Sequence, residues 1–275
     1  MKVGITYNPE NLISRKIASW VIEFLKNKCE LFIETNKREH FDIPYADLDK
    51  MDVDFIISIG GDGTILRTLM LSELPVFAIN AGDVGFLSEV SSNEIDIYKI
   101  LNIILEGNYI IDERMKIDVY LNNKFVGNVV NELVVHTSDV AKIRKYKIKI
   151  NNEPVAMVKG DGIIISTSTG STCYSMSAGG PIVDPTLNTM VIVPLNPFRT
   201  PSHPLVINSD NVVDIEIIDN IKRSDLVLDG QISVNIEPLS VVKAKRSEKT
   251  AKFIRIHTQF FRAVSEKLLL YSVIM

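Results

Sequence analysis

The rhythm of apolar and polar positions changes along the chain. In the first third, short continuous apolar runs alternate with segments whose apolar residues recur every three or four positions. "KVGITYN", "ELFIET", "DFIISIG" and "PVFAIN" read as strands, the last two with no polar face. "NLISRKIASWVIEFLKNK" places Ile13, Ile17, Trp20, Val21, Phe24 and Leu25 at helical spacing, and "GTILRTLMLS" and "EIDIYKILNIILEG" read as two further helices. Continuous apolar strands alternating with helices predict a parallel sheet covered on both faces.

From about Tyr109 the period shortens to two. "RMKIDVYLNN", "KFVGNVVNELVVHT" and "KYKIKINNEPVAMVKGDGIIIST" read as strands, with hairpin turns at Asn122-Asn123 and Asn151-Asn152. "MVIVPL", "DIEIID", "DLVLDG", "ISVNIE" and "VVKAKRS" continue the pattern. Strands stacked as a sandwich or folded sheet are expected. The basic run Lys243 to Arg255 reads as a solvated strand pair. Helical spacing returns at the end (Phe260, Phe261, Val264, Leu268). The expected organisation is therefore an α/β N-terminal domain with a parallel, Rossmann-like sheet over residues 1–108, then an all-β, sandwich-like C-terminal domain over 109–255. Residues 256–275 are expected to pack back on the N-terminal domain.

Composition narrows the class. The chain has 275 residues, 46% hydrophobic and 23% charged, which allows a sizeable core and argues against disorder. A net charge of −4 offers no global basic field for nucleic acid. Two cysteines, Cys29 and Cys173, have no metal-ligand spacing, and a reduced, cytoplasmic protein is expected. The start "MKVGITYNP" has no signal-peptide pattern. No apolar stretch approaches the roughly 18 residues that span a bilayer.

Five segments could carry chemistry. Gly60-Gly61-Asp62-Gly63-Thr64 ends a buried strand and opens a helix. Ligands of open parallel sheets bind at that edge, and helix N-termini attract phosphate. Asp62 is the unusual member, because a carboxylate beside an anion is unfavourable unless it handles a hydroxyl proton or a bridging cation. Alternatively it caps the helix. Asn80 to Leu87 ("NAGDVGFL") forms a second loop at the same edge, or a plain turn. Asn131-Glu132 is a polar pair within an apolar strand, costly unless satisfied by the core or by a ligand. "GDGIIISTSTGSTCYSMSAGG" runs from a buried strand into hydroxyls and glycines that suit a sugar-phosphate, or form a solvent loop. Asp229-Gly230-Gln231 is by itself a hairpin turn. His203 is read as structural or superficial. No Ser-His-Asp set, metal cluster or nucleotide-binding G-x-x-x-x-G-K-[ST] loop is present.

Together, and in this order, these segments resemble the NAD kinases. That family is marked by a GGDGT loop, an N-x-G-x-x-G-F-L loop, an Asn-Glu pair, a T-G-S-T-A-Y-[SN]-x-S-x-G-G segment and a D-G-Q turn. The resemblance runs from Gly60 to Gln231; the GGDG loop alone is shared with phosphofructokinases and with diacylglycerol and sphingosine kinases. It implies phosphorylation of the adenosine-ribose 2′-hydroxyl of NAD, with ATP or polyphosphate as donor and a divalent cation, Mg²⁺. It also implies a homodimer or homotetramer, and an active site between an α/β and a β domain.

By the resemblance, Asp62 is the base or orienter of the attacking hydroxyl. Gly60, Gly61, Gly63 and Thr64 face the phosphate donor. Gly61, Asp62, Gly63, Phe86, Asn131, Glu132, Asp161, Thr172, Cys173, Tyr174, Ser177 and Gln231 line the NAD site. Two stretches depart from the family pattern: Cys173 stands where Ala is usual, and "PLNPFRTPSHPLVI" replaces a P-H-S-L-[ST]-x-R-P pattern. The competing readings are a related GGDG-loop kinase of a lipid or sugar, and a non-catalytic dinucleotide sensor. The polar "TGSTCYSMSAGG" segment argues against acyl chains, and Asp62 argues against a sensor.

Overall fold

The computed structural model describes residues 1–82, 85–90, 92–139, 142–199, 202–218 and 223–256, with 260, 264 and 265. The chain divides into two compact units, Met1–Glu113 with Ala251–Met275, and Arg114–Thr250.

The first unit runs β1 (Lys2–Tyr7), α1 (Leu12–Leu25), β2 (Glu30–Glu34), a 3₁₀ turn (Thr35–His40), β3 (Tyr45–Ala46), β4 (Phe55–Gly60), α2 (Asp62–Leu71), β5 (Val76–Asn80) and α3 (Glu94–Leu105). The strands pair in parallel in the order β5-β4-β1-β2-β3. One face buries Val3, Ile5, Phe55, Ile57 and Ile59 against Ile17 and Val21 of α1 and Ile97 and Leu101 of α3. The other face is held to α2 by a hydrogen bond between the Ser58 and Thr68 hydroxyls, 3.0 Å long. Cover on both faces explains why β4 has no polar rhythm. Asn11 caps α1 by accepting from the N–H groups of Ile13 and Ser14, and Asn93 caps α3 by accepting from Ile95 and Asp96. Such caps contribute about 1 kcal/mol each.

The second unit is antiparallel. It takes in β6 (Ile110–Leu121, from Arg114 onward), β7 (Lys124–Val129), β8 (Glu132–Thr137), β9 (Arg144–Ile150), β10 (Glu153–Gly160) and β11 (Gly162–Thr167). A 3₁₀ turn (Thr169–Thr172) and the short α4 (Tyr174–Ser177) follow. Then come β12 (Thr189–Leu195), β13 (Leu205–Asn208), β14 (Val213–Ile217), β15 (Ser224–Leu228), β16 (Ile232–Ile236) and β17 (Val241–Arg255). One layer is ordered β13-β12-β11-β8-β15-β16. The other contains β10-β9-β14-β17 and the β6-β7 hairpin. Leu133, Val135, Ile163, Ile165 and Leu226 of the first layer meet Tyr146, Ile148, Val213, Ile215 and Val242 of the second in a sandwich core. The alternate residues Val134, Ile164, Val191 and Val193 cluster on the outer face of the first layer.

The paired asparagines turn both expected hairpins, with φ of 50° and 64° at Asn122 and Asn123 and 51° and 70° at Asn151 and Asn152. Left-handed φ at two successive positions matches the twist of the flanking strands. Several expectations change. Lys243 to Arg255 is one continuous strand, not a pair, because Val242, Ala244, Ala251 and Phe253 all find buried places along it. Its end pairs in parallel with β5 inside the first unit, Phe253 opposite Val76. The short strands β3 and β13 carry too little pattern to be foreseen. The closing helical segment lies outside the described residues apart from Phe260, Val264 and Ser265.

Candidate functional site

In the first unit, β4 delivers Gly60 to the carboxyl edge of the parallel sheet and Asp62 to the first turn of α2. A Cβ at Gly60 would run into the Thr64 side chain, whereas Gly61 faces open space. Asp62 does not cap the helix. Gly61 occupies the cap position and makes no side-chain cap bond. The Asp62 carboxylate turns instead to the second loop, accepting the N–H of Phe86 at 3.0 Å and of Leu87 at 3.4 Å. The two loops meet again where the Ala81 N–H donates to the Gly60 carbonyl, 3.2 Å away. Gly85 is required by this packing, since a Cβ there would lie 2.5 Å from Asp62 Oδ1. Gly60, Gly61, Asp62, Gly63, Thr64 and Phe86 are thus gathered at one edge; Asp83 and Val84 lie outside the described residues.

The loop is also anchored from behind. Arg255 Nη1 lies 3.1 Å from Glu89 Oε2, Arg255 Nε lies 3.7 Å from Asp112 Oδ2, and the Ile256 N–H donates to Glu89 Oε1 at 2.9 Å. These three side chains are nearly buried, at 11–15% exposure, so the pairing is well shielded from solvent.

In the second unit the site is organised by Asp229. Its carboxylate accepts three consecutive backbone N–H groups, from Val130 at 2.7 Å, Asn131 at 2.8 Å and Glu132 at 3.0 Å. Asp229 and Gly230 adopt φ of 48° and 65°, so the expected turn is present. The Asp229 side chain is nonetheless buried and holds the Asn-Glu pair. That pair does not sit within a strand as expected: Asn131 precedes β8 and Glu132 opens it. Asn131 donates from Nδ2 to Cys173 Sγ, 3.2 Å away. Gly170 lies directly against the Asn131 backbone and has no room for a Cβ. Asn131 Oδ1 and Glu132 Oε2 are buried with no hydrogen-bond partner among the described residues, although the two residues are only 2% and 9% exposed. Buried polar atoms left unmatched are costly, and a bound polar ligand would satisfy them.

Electrostatics follow from this burial. Burial pushes the Glu132 carboxyl up to about 8, and the neighbouring charge of Asp229 adds to the shift. Burial also pushes Asp229 up to about 6, against the pull of the three backbone N–H groups and of Lys116. A protonated Glu132 can donate a hydrogen bond as well as accept one.

Glu132 opens onto a cavity of about 650 Å³ lined also by Val134, His136, Asp161, Tyr174 and Asn196. Asp161 is steadied by Asn196 Nδ2, which donates to its Oδ2 at 2.8 Å. Tyr174 is half exposed at the cavity wall. Thr172 is buried, with its hydroxyl donating to the Thr169 carbonyl at 3.4 Å. Ser177 and Gln231 are exposed, and Gln231 Nε2 donates to the Asp229 carbonyl at 3.4 Å. The Ser/Thr-rich stretch is not a solvent loop, since Ser168 to Thr172 are buried and their hydroxyls bind nearby backbone groups. His203 is exposed. Asp229, His136 and Asn196 are the residues that sequence reasoning missed. The two-residue alternation Glu132, Val134, His136 could have found the histidine. Among the described residues, no set of three or more His, Cys, Asp or Glu side chains is grouped to hold an ion, and no helix is long and apolar enough to cross a membrane.

Comparison with known proteins agrees with this layout. Residues 23–109 match the model of the ATP-NAD kinase N-terminal domain, and residues 130–256 match that of the ATP-NAD kinase C-terminal domain. The NAD kinase of Methanothermobacter thermautotrophicus is 37% identical, over 98% of this chain and 96% of that protein. That of Thermoplasma acidophilum is 35% identical, over 99% of this chain and 100% of that protein. Among solved structures, yeast NADH kinase complexed with NADH has the same fold, with a TM-score of 0.87 at 19% identity over 98% of this chain and 88% of that one. An NAD kinase from Archaeoglobus fulgidus in complex with ATP gives a TM-score of 0.77 at 27% identity, over 97% of this chain and 98% of that one. With near-complete coverage at more than a third identity and both domains matched in order, the chain belongs to the NAD kinase family.

Proposed function

We propose that this enzyme phosphorylates the 2′-hydroxyl of the adenosine ribose of NAD, giving NADP. The observation that carries the reading is Asp62. It is a carboxylate at the carboxyl edge of the parallel sheet, beside open backbone at Gly61, in a chain of the NAD kinase family. Asp62 takes or orients the proton of the attacking hydroxyl, while Gly60, Gly61, Gly63 and Thr64 leave the donor's phosphate room to approach. Asn131 and Glu132 hold the dinucleotide with their unmatched buried oxygens, supported by Phe86, Asp161, Thr172, Cys173, Tyr174, Ser177 and Gln231.

ATP is the donor favoured by the relative solved with ATP. The divalent cation, Mg²⁺, comes in on the donor's phosphates as part of the substrate, because such ions are held chiefly by phosphate and water. Two free thiols support a reducing, cytoplasmic setting, and the family resemblance a homodimer or homotetramer.

The test is NADP formation by purified protein with Mg²⁺, NAD and either ATP or polyphosphate, beside Asp62→Asn. Turnover with one donor, lowered about 10²–10⁴-fold by the substitution, is expected. Folded protein that binds NAD yet forms no NADP with any donor would overturn the reading in favour of a sensor.

A further inference from the structure

We infer that Cys173 is a modifiable thiol whose occupation by a small disulfide shuts the dinucleotide site, making NADP formation sensitive to thiol oxidation. The inference rests on the reading that NAD is held by Asn131 and Glu132. Three observations carry it. Cys173 is a free cysteine of intermediate exposure, just before Tyr174 on the cavity wall. Its sulfur is 3.2 Å from Asn131 Nδ2, and an N–H donor at that distance favours thiolate, the nucleophilic form. The other end of the same amide, Asn131 Oδ1, is buried and unmatched among the described residues, as is Glu132 Oε2 at the cavity. The thiol therefore sits within hydrogen-bond reach of a group that awaits a ligand.

The chemistry is thiol–disulfide exchange. The Cys173 thiolate attacks one sulfur of glutathione disulfide, and a bond forms between Cys173 and that glutathione as the original S–S bond breaks. The second glutathione leaves as a thiolate and takes up the proton Cys173 gave away. The attached tripeptide removes the sulfur from Asn131 Nδ2, occupies the space beside Tyr174 and brings carboxylates toward Glu132. A dinucleotide and the adduct cannot share that volume.

The experiment uses Cys29→Ser protein, which leaves Cys173 as the single thiol. Glutathione disulfide is added with and without NAD, and the adduct is followed by intact mass alongside NADP formation. Attachment of one glutathione is expected, with loss of activity in proportion and recovery on adding dithiothreitol. NAD at about ten times its Kd should slow attachment about tenfold, because only the free fraction reacts. Cys173→Ala in the same background should keep whatever rate it has in the presence of the disulfide. Attachment that NAD does not slow, or modified protein that still turns over at the untreated rate, would overturn the inference. Protein inactive before treatment would count against the kinase reading, while protection by NAD, read by mass alone, still judges the thiol.

Discussion

Asp229 and Glu132 are tied in both directions: the Glu132 N–H donates to the Asp229 carboxylate at 3.0 Å, and the Asp229 N–H donates to the Glu132 carbonyl at 2.9 Å. The pair joins the start of β8 to the end of β15, where Leu228 lies opposite Leu133. A turn residue therefore sets the backbone from which Asn131 and Glu132 project.

Asp229→Ala should loosen that backbone. Each of the three N–H groups it leaves unpartnered costs about 1–3 kcal/mol where water cannot replace the carboxylate. A lower denaturation midpoint is expected, together with a raised KM for NAD and a kcat that falls much less. Loss of stability with an unchanged KM would make Asp229 a matter of folding alone.

Asp62→Asn keeps an oxygen to accept from Phe86 or Leu87 but removes the basic carboxylate. Turnover should fall about 10²–10⁴-fold. NAD affinity, followed by calorimetry, should stay within severalfold, because Asn131 and Glu132 are untouched. Affinity lost in parallel with turnover would assign Asp62 to binding instead.

The raised Glu132 carboxyl makes stability depend on pH. Between its ordinary 4.5 and about 8, the folded protein holds a proton that the unfolded chain has released. Stability is therefore fully present below that window, falls as pH rises through it and levels off above. Asp229 acts in the same direction between 3.8 and about 6. Thermal midpoints measured from about pH 5 to about pH 8 should fall more steeply for the wild type than for Glu132→Gln. Parallel curves would show that Glu132 ionises alike in both states.

Gly170→Ala would drive a methyl group into the Asn131 backbone. Overpacking of this kind costs about 1–3 kcal/mol. The expected result is a lower melting temperature with a weaker affinity for NAD, both read on the purified variant. A fully stable variant with unaltered affinity would show that Asn131 can move without consequence.

Arg255→Ala should leave Glu89 and Asp112 as poorly compensated carboxylates. Breaking a buried ion pair costs about 3–5 kcal/mol. Because Glu89 closes the loop carrying Phe86 and Leu87, faster proteolysis near that loop is expected along with the lower stability. Unchanged cleavage would confine Arg255 to global stability.

The local rules of the chain were enough to lay out its elements. The apolar run of β4, the helical spacing of α1 and the paired asparagines at both hairpins depend on residues only a few positions apart, and each forms where the pattern places it. The order of motifs from Gly60 to Gln231 was likewise open to reading, and with it the family. What local pattern could not supply is direction and partnership. Asp62 had equal reason to cap its own helix, and only the packing of the second loop turned it to Phe86 and Leu87. Asp229 looked like a turn residue because its partners lie 97 to 99 positions away. Dihedral preference and periodicity are set by near neighbours, whereas the N–H that a buried carboxylate finds is set by strand register across a closed core. That register, a property of the whole sandwich, is what brings Asp229 to the Asn-Glu pair and Cys173 to Asn131.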